Sequence, residues 1–255
     1  MKARDKRLAE VVDALVRDLH DFIVDQRVTE EELHHAMDFL TEVGKNGEMP
    51  GLADAFAMTT VADNVTHEEA NRGATPSNIE GPFYLADAPI LNLPYRVGRP
   101  DEAGDPLVFR GRIVDGPSGR PVPTALVDLW QADAIGNYDI QDPGAPAFNL
   151  RGRLTARDGT FELRTVVPGA YEIPKNGAVG RLLKLLARHA FRPRHIHFKI
   201  SADGWQPLTT QIYFAGDQWI ESDSIGAAKP GLVAPLNDRD GVFVSEYTFQ
   251  LIPLK

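Results

Sequence analysis

Eighteen of the nineteen prolines in this 255-residue chain lie beyond residue 72, and only Pro50 precedes them. Proline lacks the backbone N–H and fixes φ, so a stretch dense in it cannot form long helices or uninterrupted central strands. The first 72 residues, with three of the 22 glycines and no tyrosine, are free to run as helices. The rest reads as short extended segments punctuated by turns. Charge divides at the same place. Residues 1–72 hold 16 acidic and eight basic side chains, which is −8 of the net −9. The chain therefore reads as a helical domain over 1–72 and a β-rich body over 73–255.

Composition removes several chemistries. Cysteine is absent, which excludes disulfides, iron–sulfur clusters, thiolate zinc and cysteine nucleophiles. Any metal must be held by nitrogen and oxygen. An acidic chain without Lys/Arg clusters is poorly matched to nucleic-acid phosphates or anionic lipid. No run of apolar residues is long enough to span a bilayer. Charges interrupt every candidate signal core near the start, so a cytoplasmic protein is expected.

In the helical part, Leu8, Val11, Val12, Leu15, Leu19, Phe22 and Ile23 recur at helical spacing. Thr29 with Glu32 reads as a capping box opening a second helix, with Leu33, Ala36, Met37 and Leu40 on one stripe and Gly44 as its stop. A third helix is expected between Leu52 and Glu69. Such stripes fit packing on the protein's own body or a dimer contact. In the body, strands are expected at 107–114, 125–131, 160–166, 195–201, 209–214 and 241–251, with one helix at 180–189. Successive short strands without regular intervening helices predict an antiparallel β-sandwich.

The segment Arg192-Pro193-Arg194-His195-Ile196-His197-Phe198-Lys199-Ile200 concentrates the chemistry. On a strand, Ile196, Phe198 and Ile200 face one side, and His195 and His197 face the other, about 6.6 Å apart along the chain. Two imidazoles so placed can converge on one metal ion or can line a polar cleft by hydrogen bonding. The remaining histidines are dispersed and read as solvated. Tyr138, after a Gly-Asn turn, and Tyr171, in a proline-bounded loop, stand in unusual settings, although a loop tyrosine is ordinarily a packing residue.

With these residues in view, the chain resembles the intradiol ring-cleaving dioxygenases of the catechol 1,2-dioxygenase type. The matching segments, in order, are Ile79-Glu80-Gly81-Pro82-Phe83-Tyr84, Asp128-Leu129-Trp130-Gln131-Ala132 with Gly136-Asn137-Tyr138, and Leu150-Arg151-Gly152-Arg153. Pro168-Gly169-Ala170-Tyr171-Glu172-Ile173-Pro174, Arg192-Pro193-Arg194-His195-Ile196-His197 and Leu208-Thr209-Thr210-Gln211-Ile212-Tyr213-Phe214 follow. The helical start resembles the family's linker domain.

The resemblance implies a non-haem Fe(III) ion held by Tyr138, Tyr171, His195 and His197. Phenolate is a hard anionic donor suited to ferric iron, and imidazole also suits it. It implies a catechol substrate that chelates the iron, O2 as co-substrate and a cis,cis-muconate product. Tyr171 is then the phenolate displaced to act as a base, Arg192 stabilises developing negative charge, and Gln211 is a second polar residue of the site. Ile79, Pro82, Phe83, Ile173 and Ile225 are expected to wall the ring. Asp54 in Gly51-Leu52-Ala53-Asp54-Ala55-Phe56 and the Tyr171-Glu172-Ile173-Pro174 segment look more like relatives acting on chlorocatechol or hydroxyquinol, and Gly51, where a bulkier residue is common, is expected to widen the pocket mouth, whereas Gly136-Asn137-Tyr138 and Arg192-Pro193 look catechol-like. Arg194 stands where relatives often have a small residue, and strand alternation turns it away from the metal. The family also implies a homodimer through the helical region, with phospholipid sometimes bound. Two competing readings are a Zn or Mn hydrolase using His-x-His with a carboxylate such as Asp217, and a non-catalytic β-sandwich binding module.

Overall fold

The computed structural model describes residues 5–70 and 72–254. It divides into two compact units, the first ending at Met49 and the second beginning at Pro50.

The first unit holds α1 (Lys6–Gln26) and α2 (Glu30–Lys45). Asp5 caps α1 by accepting a hydrogen bond from the Leu8 amide at 2.9 Å, and Arg27 closes the helix in a left-handed conformation. Thr29 and Glu32 form the reciprocal cap expected of them. The Thr29 hydroxyl accepts from the Glu32 amide at 3.2 Å, and the Glu32 carboxylate accepts from the Thr29 amide at 2.8 Å.

α3 (Met49–Ala55) starts at the boundary and lies in the second unit from Pro50 on, followed by α4 (Met58–Thr66). The single helix expected here is two, because Ala57 takes a left-handed backbone conformation at φ 55° between them. Three contacts tie α4 to the β-rich body. The Thr60 hydroxyl donates to the Ile225 carbonyl at 3.0 Å, and the Asp63 carboxylate receives Ser77 Oγ at 2.9 Å and Lys229 Nζ at 3.0 Å.

The body's strands are β1 (Pro106–Asp115), β2 (Thr124–Gln131), β3 (Arg151–Arg157), β4 (Thr160–Val166), β5 (Tyr171–Glu172), β6 (Phe191–Arg192), β7 (His195–Ser201), β8 (Leu208–Phe214), β9 (Val233–Ala234), β10 (Asn237–Arg239) and β11 (Val242–Leu251). A short helix, α5 (Ala178–Leu185), lies between β5 and β6. It ends before the expected His189, and Ala187 has left-handed φ. Nine strands form one sheet in the order β10-β11-β1-β4-β3-β2-β7-β8-β9, and β5 and β6 form a separate ribbon.

The expectation of a purely antiparallel arrangement is corrected at two seams. β1 pairs with β11 in parallel, from Leu107 opposite Phe243 to Asp115 opposite Leu251, and β8 pairs with β9 in parallel. Neither pair is joined by a hairpin. The chain reaches each partner through a long connection, so no tight turn forces the second strand to reverse.

The nine-stranded sheet is folded over. In a flat sheet β1 and β7, four strand steps apart, would be separated by about 19 Å. Their Phe109 and Phe198 rings instead stand 5.0 Å apart, and Phe198 is also 5.0 Å from Phe249 of β11. The crease is the β3–β4 hairpin, whose ladder is the single pair Arg157–Thr160. Between the two layers lie Phe109, Phe198, Phe249, Leu129, Leu163 and Ile200, all fully buried. Each such side chain contributes about 1.5–3 kcal/mol through burial. On β7 the apolar alternates Ile196, Phe198 and Ile200 face this core. That turns His195 and His197 to the opposite side of their layer, where loops cover them.

Candidate active site

Strand register places the polar face. His195 lies opposite Tyr213 and His197 opposite Gln211 on β8, while Trp130 of β2 lies opposite His197 on the other flank. These side chains share one face because cross-strand partners project together. Trp130 stacks on the His197 ring at 4.6 Å and 11°, which fixes the plane of the imidazole.

Two loops bring the tyrosines over that face. Tyr138 follows β2, and Tyr171 forms β5, directly opposite Arg192 of β6. The loops meet at Gly136, where φ is +93° and a Cβ would fall 2.6 Å from the Ala170 carbonyl and 2.9 Å from the Tyr171 Cβ. Only glycine accepts both that conformation and that approach. A strap over 79–84 closes the top. Phe83 stacks on Tyr138 at 4.5 Å and meets Tyr171 edge-on at 6.0 Å.

The four side chains form one cluster. Nε2 of His197 is 3.1 Å from Nε2 of His195 and 3.1 Å from the Tyr138 hydroxyl. The Tyr171 hydroxyl joins through Arg192 Nη1, which lies 3.3 Å from it and 3.3 Å from His195 Nε2. The Pro193 carbonyl, 2.7 Å from His195 Nδ1, can only accept, so Nδ1 carries the proton and Nε2 presents its lone pair. Burial, and after it the Arg192 charge, holds His195 well below the ordinary imidazole range. Burial, then His195 and Arg192, do the same for His197. Both rings are neutral. Burial, reinforced by Tyr171, pushes the Tyr138 phenol well above its usual value.

This donor set fits a small cation of high charge. Nitrogens bound about 2.0–2.1 Å from one ion stand about 2.9–3.4 Å apart, which brackets the 3.1 Å separation of the two Nε2 atoms. A phenol buried this deeply ionises only if a strong positive charge sits beside it. Among the described residues no cluster of three His, Asp or Glu side chains is placed to hold a metal, so the phenols are the oxygen donors at hand. Asp217, the carboxylate of the hydrolase reading, is engaged elsewhere. It accepts from the Arg194 amide and Nε, both at 2.9 Å, and from the Trp219 amide at 2.9 Å.

Arg192 is 3% exposed and Gln211 is fully buried. Arg192 Nη2 donates to Gln211 Oε1 and to the Tyr213 hydroxyl, both at 2.8 Å, and Gln211 Nε2 donates to the Ile79 carbonyl at 2.8 Å. Burial alone would weaken the Arg192 charge, but Asp223, Tyr213 and Tyr171 outweigh it and keep the guanidinium protonated. Among the expected ring contacts, Phe83 stacks on Tyr138 and Ile79 is tied to Gln211. Ile173, two residues past Tyr171, and Ile225 are buried, and Pro82 is exposed on the strap. Asp54 is drawn to Thr59, whose hydroxyl it accepts at 2.5 Å.

Four residues of this environment carry no signal that sequence reasoning used. Asp223 pairs with Arg192. Tyr213 donates to Gln211 Oε1 at 2.6 Å. Arg151 Nε donates to Asp139 at 2.7 Å, beside Tyr138, and Arg151 Nη1 to the Phe83 carbonyl at 2.5 Å. Both Arg151 and Tyr213 lie inside segments quoted above, so their positions were visible but their partners were not.

Comparison with known proteins adds a second line. Residues 5–74 match a family model described as catechol dioxygenase N terminus, and residues 79–253 match one described as dioxygenase. Over 254 residues the chain is 41% identical to chlorocatechol 1,2-dioxygenase of Rhodococcus opacus, covering 96% of this chain and 95% of that protein. It is 39% identical to catechol 1,2-dioxygenase 2 of Acinetobacter lwoffii, covering 92% and 86%. The solved structure of hydroxyquinol 1,2-dioxygenase from Pseudomonas putida DLL-E4 superposes with a TM-score of 0.92 at 32% identity, covering 99% of this chain and 94% of that one.

Proposed function

The chain belongs to the family of intradiol catechol dioxygenases, and from that premise we propose that Tyr138, Tyr171, His195 and His197 hold a non-haem ferric ion at which a catechol is opened. The reaction is cleavage of catechol or a substituted catechol by O2, between the two hydroxyl-bearing carbons, to a cis,cis-muconate. The observation that carries the site assignment is the convergence of two neutral imidazoles and two phenols within one buried cluster.

When bound, ferric iron supplies a Lewis acid and a template for both substrate oxygens. The chain's own groups do the rest. As its phenolate, Tyr171 Oη would take the proton of a substrate hydroxyl and become neutral, and Arg192 Nη1, 3.3 Å from it, would stabilise the negative charge left on the substrate. His195 is held in the tautomer that leaves Nε2 free by the Pro193 carbonyl. Trp130 keeps the His197 ring from rotating. Gln211 holds the strap through Ile79, so Phe83 and Pro82, with Ile173 and Ile225, wall the ring. Asp54 contributes to substrate binding, and Gly51, by widening the mouth, bears with it on the choice among catechol, chlorocatechol and hydroxyquinol. One methylene in such a wall is worth about 1–3 kcal/mol of discrimination.

The same reading makes the protein a cytoplasmic homodimer joined through α1 and α2, with phospholipid bound along the same face. Its support is the apolar stripe Leu8, Leu15, Leu19 and Phe22, each at least half exposed. Among the described residues no helix is long and apolar enough to cross a membrane.

The test is a purified preparation assayed for iron, visible absorption and product over catechol, methylcatechols, chlorocatechols and hydroxyquinol. Phenolate-to-iron charge transfer should colour it burgundy-red. A product cut beside the diol, or full activity in a colourless, iron-free sample, would overturn the assignment.

A further inference from the structure

Arg192 presents two edges. Nη1 faces the cluster, between the Tyr171 oxygen and His195 Nε2. The Nε–Nη2 edge meets one carboxylate at two points, while Nη2 also donates to Gln211 Oε1 and the Tyr213 hydroxyl at 2.8 Å. Nε is 3.2 Å from Asp223 Oδ1, and Nη2 is 3.4 Å from Asp223 Oδ2. The pair is sealed from solvent, with side chains 3% and 1% exposed. A two-point contact between a planar guanidinium and a planar carboxylate fixes position and plane together, which a single contact does not.

Asp223 is itself held. Its Oδ2 accepts from the Ala227 and Ala228 amides at 3.0 and 3.1 Å. The intervening Ile225 carbonyl accepts the Thr60 hydroxyl of α4 at 3.0 Å. A turn over 223–228 thus carries a carboxylate anchored on one side by backbone amides and applied on the other to the back of Arg192. With Nε held by Asp223 and Nη2 shared among Asp223, Gln211 and Tyr213, Nη1 is the nitrogen left to face Tyr171 and His195.

We propose that Asp223 is the positioning residue for Arg192, fixing the plane of its guanidinium so that Nη1 is aimed at the Tyr171 oxygen before substrate arrives. Asp223 has no hydrogen bond to Tyr171, His195 or His197, and reaches them through Arg192. The proposal rests on the role of Arg192 given above. It predicts that the aspartate matters only while the arginine is present.

The experiment is a double-mutant cycle on the full-length, iron-loaded protein: wild type, Asp223→Asn, Arg192→Ala and the double variant. Iron content, the charge-transfer maximum and kcat are read for each. Asparagine keeps an acceptor for the turn's amides and loses the charge and the two-point geometry. Asp223→Asn should keep its iron, shift the charge-transfer maximum and lower kcat by about 10- to 100-fold, the range for groups that orient a site from behind it. In the Arg192→Ala background the same change should move neither the band nor kcat by more than about twofold. Equal effects of Asp223→Asn in both backgrounds would overturn the proposal while leaving the role of Arg192 standing. So would a fall in thermal stability with unchanged spectrum and turnover. No effect of Arg192→Ala itself would overturn the reading beneath it, and the proposal with it. Should Asp223→Asn fail to fold, Asp223→Glu, which keeps the charge but displaces it by one methylene, takes its place with the same expectations.

Discussion

Tyr171 and Arg192 stand directly opposite each other in a ribbon only two residues long on each strand. The pairing sets the phenol beside the guanidinium by backbone hydrogen bonding, so the 3.3 Å contact between them does not depend on a chance meeting of long side chains. The arginine is thereby built into the same ribbon as the phenol it meets.

Truncating that arginine should separate binding of iron from turnover. Arg192→Ala is expected to retain iron and colour and to lose about 10²–10³-fold in kcat, the usual loss for one preorganised charge-stabilising donor. Arg192→Lys should recover little, because a lysine offers no planar fork. Steady-state kinetics beside an iron assay measures both; bleaching of the Arg192→Ala protein would assign the residue to maintaining the fold.

The donor atoms should behave in the opposite way. Tyr138→Phe and His197→Ala are each expected to lose iron and visible absorption together, with folded secondary structure by circular dichroism. Retention of stoichiometric iron with normal turnover in either variant would contradict its assignment as a ligand.

The approach of the two tyrosine loops predicts a backbone effect. Gly136→Ala places a Cβ 2.6 Å from the Ala170 carbonyl at φ +93°. Strain and overpacking at such a position cost about 1–3 kcal/mol each. The variant should unfold at lower denaturant and bind iron more weakly, because relief requires Tyr138 and Tyr171 to move apart. Gly119→Ala, also at positive φ but with nothing within 4 Å, should cost stability without affecting iron.

Acidity should destabilise the iron-free protein through the two buried imidazoles. Burial holds both below their ordinary value of about 6.5, so the unfolded chain binds protons there that the folded chain does not. Stability therefore rises with pH below about 6.5 and this contribution levels off above it. Each ring adds about 1.4 kcal/mol per pH unit to that slope. Urea unfolding of chelator-stripped protein at pH 5.0–7.5 measures it, and His197→Gln should remove about half of the two-histidine part.

If α1 carries the dimer contact, charge placed on its stripe should part the subunits. Leu15→Glu with Leu19→Glu is expected to halve the mass measured by light scattering, with iron content unchanged. An unchanged mass would move the contact elsewhere.

What the sequence disclosed follows the reach of local rules. The Thr29–Glu32 cap, the stripe on α1 and the alternation that separates His195 and His197 from Ile196 and Phe198 are all decided within a few residues, and all were legible. β3 was missed because Arg151-Gly152-Arg153 shows no apolar alternation. Its outer positions are satisfied by another part of the chain, with Arg153 Nε donating to the Ala88 carbonyl at 2.6 Å and the Leu91 amide to the Arg153 carbonyl at 2.7 Å. The β5–β6 ribbon is too short to leave a pattern. The parallel seams depend on which distant strands meet, which no turn announces. At the site, Tyr138 and Tyr171 were indistinguishable from packing tyrosines until the family pattern singled them out. Asp223 carries no local mark, since its meaning comes from a guanidinium 31 positions away.

The two tyrosine-bearing loops leave different layers of the folded sheet, Tyr138 from the end of β2 and Tyr171 beyond the end of β4. Where those strand ends meet, one buried amide bridges them: Gln131 Nε2 donates to the Val166 carbonyl at 3.0 Å, and its oxygen accepts the Thr165 hydroxyl at 3.0 Å. The distance between the two phenols is consequently a gauge of how far the layers stand apart. Any core substitution that wedges the layers open, however remote, should register as a change in colour before it registers as unfolding.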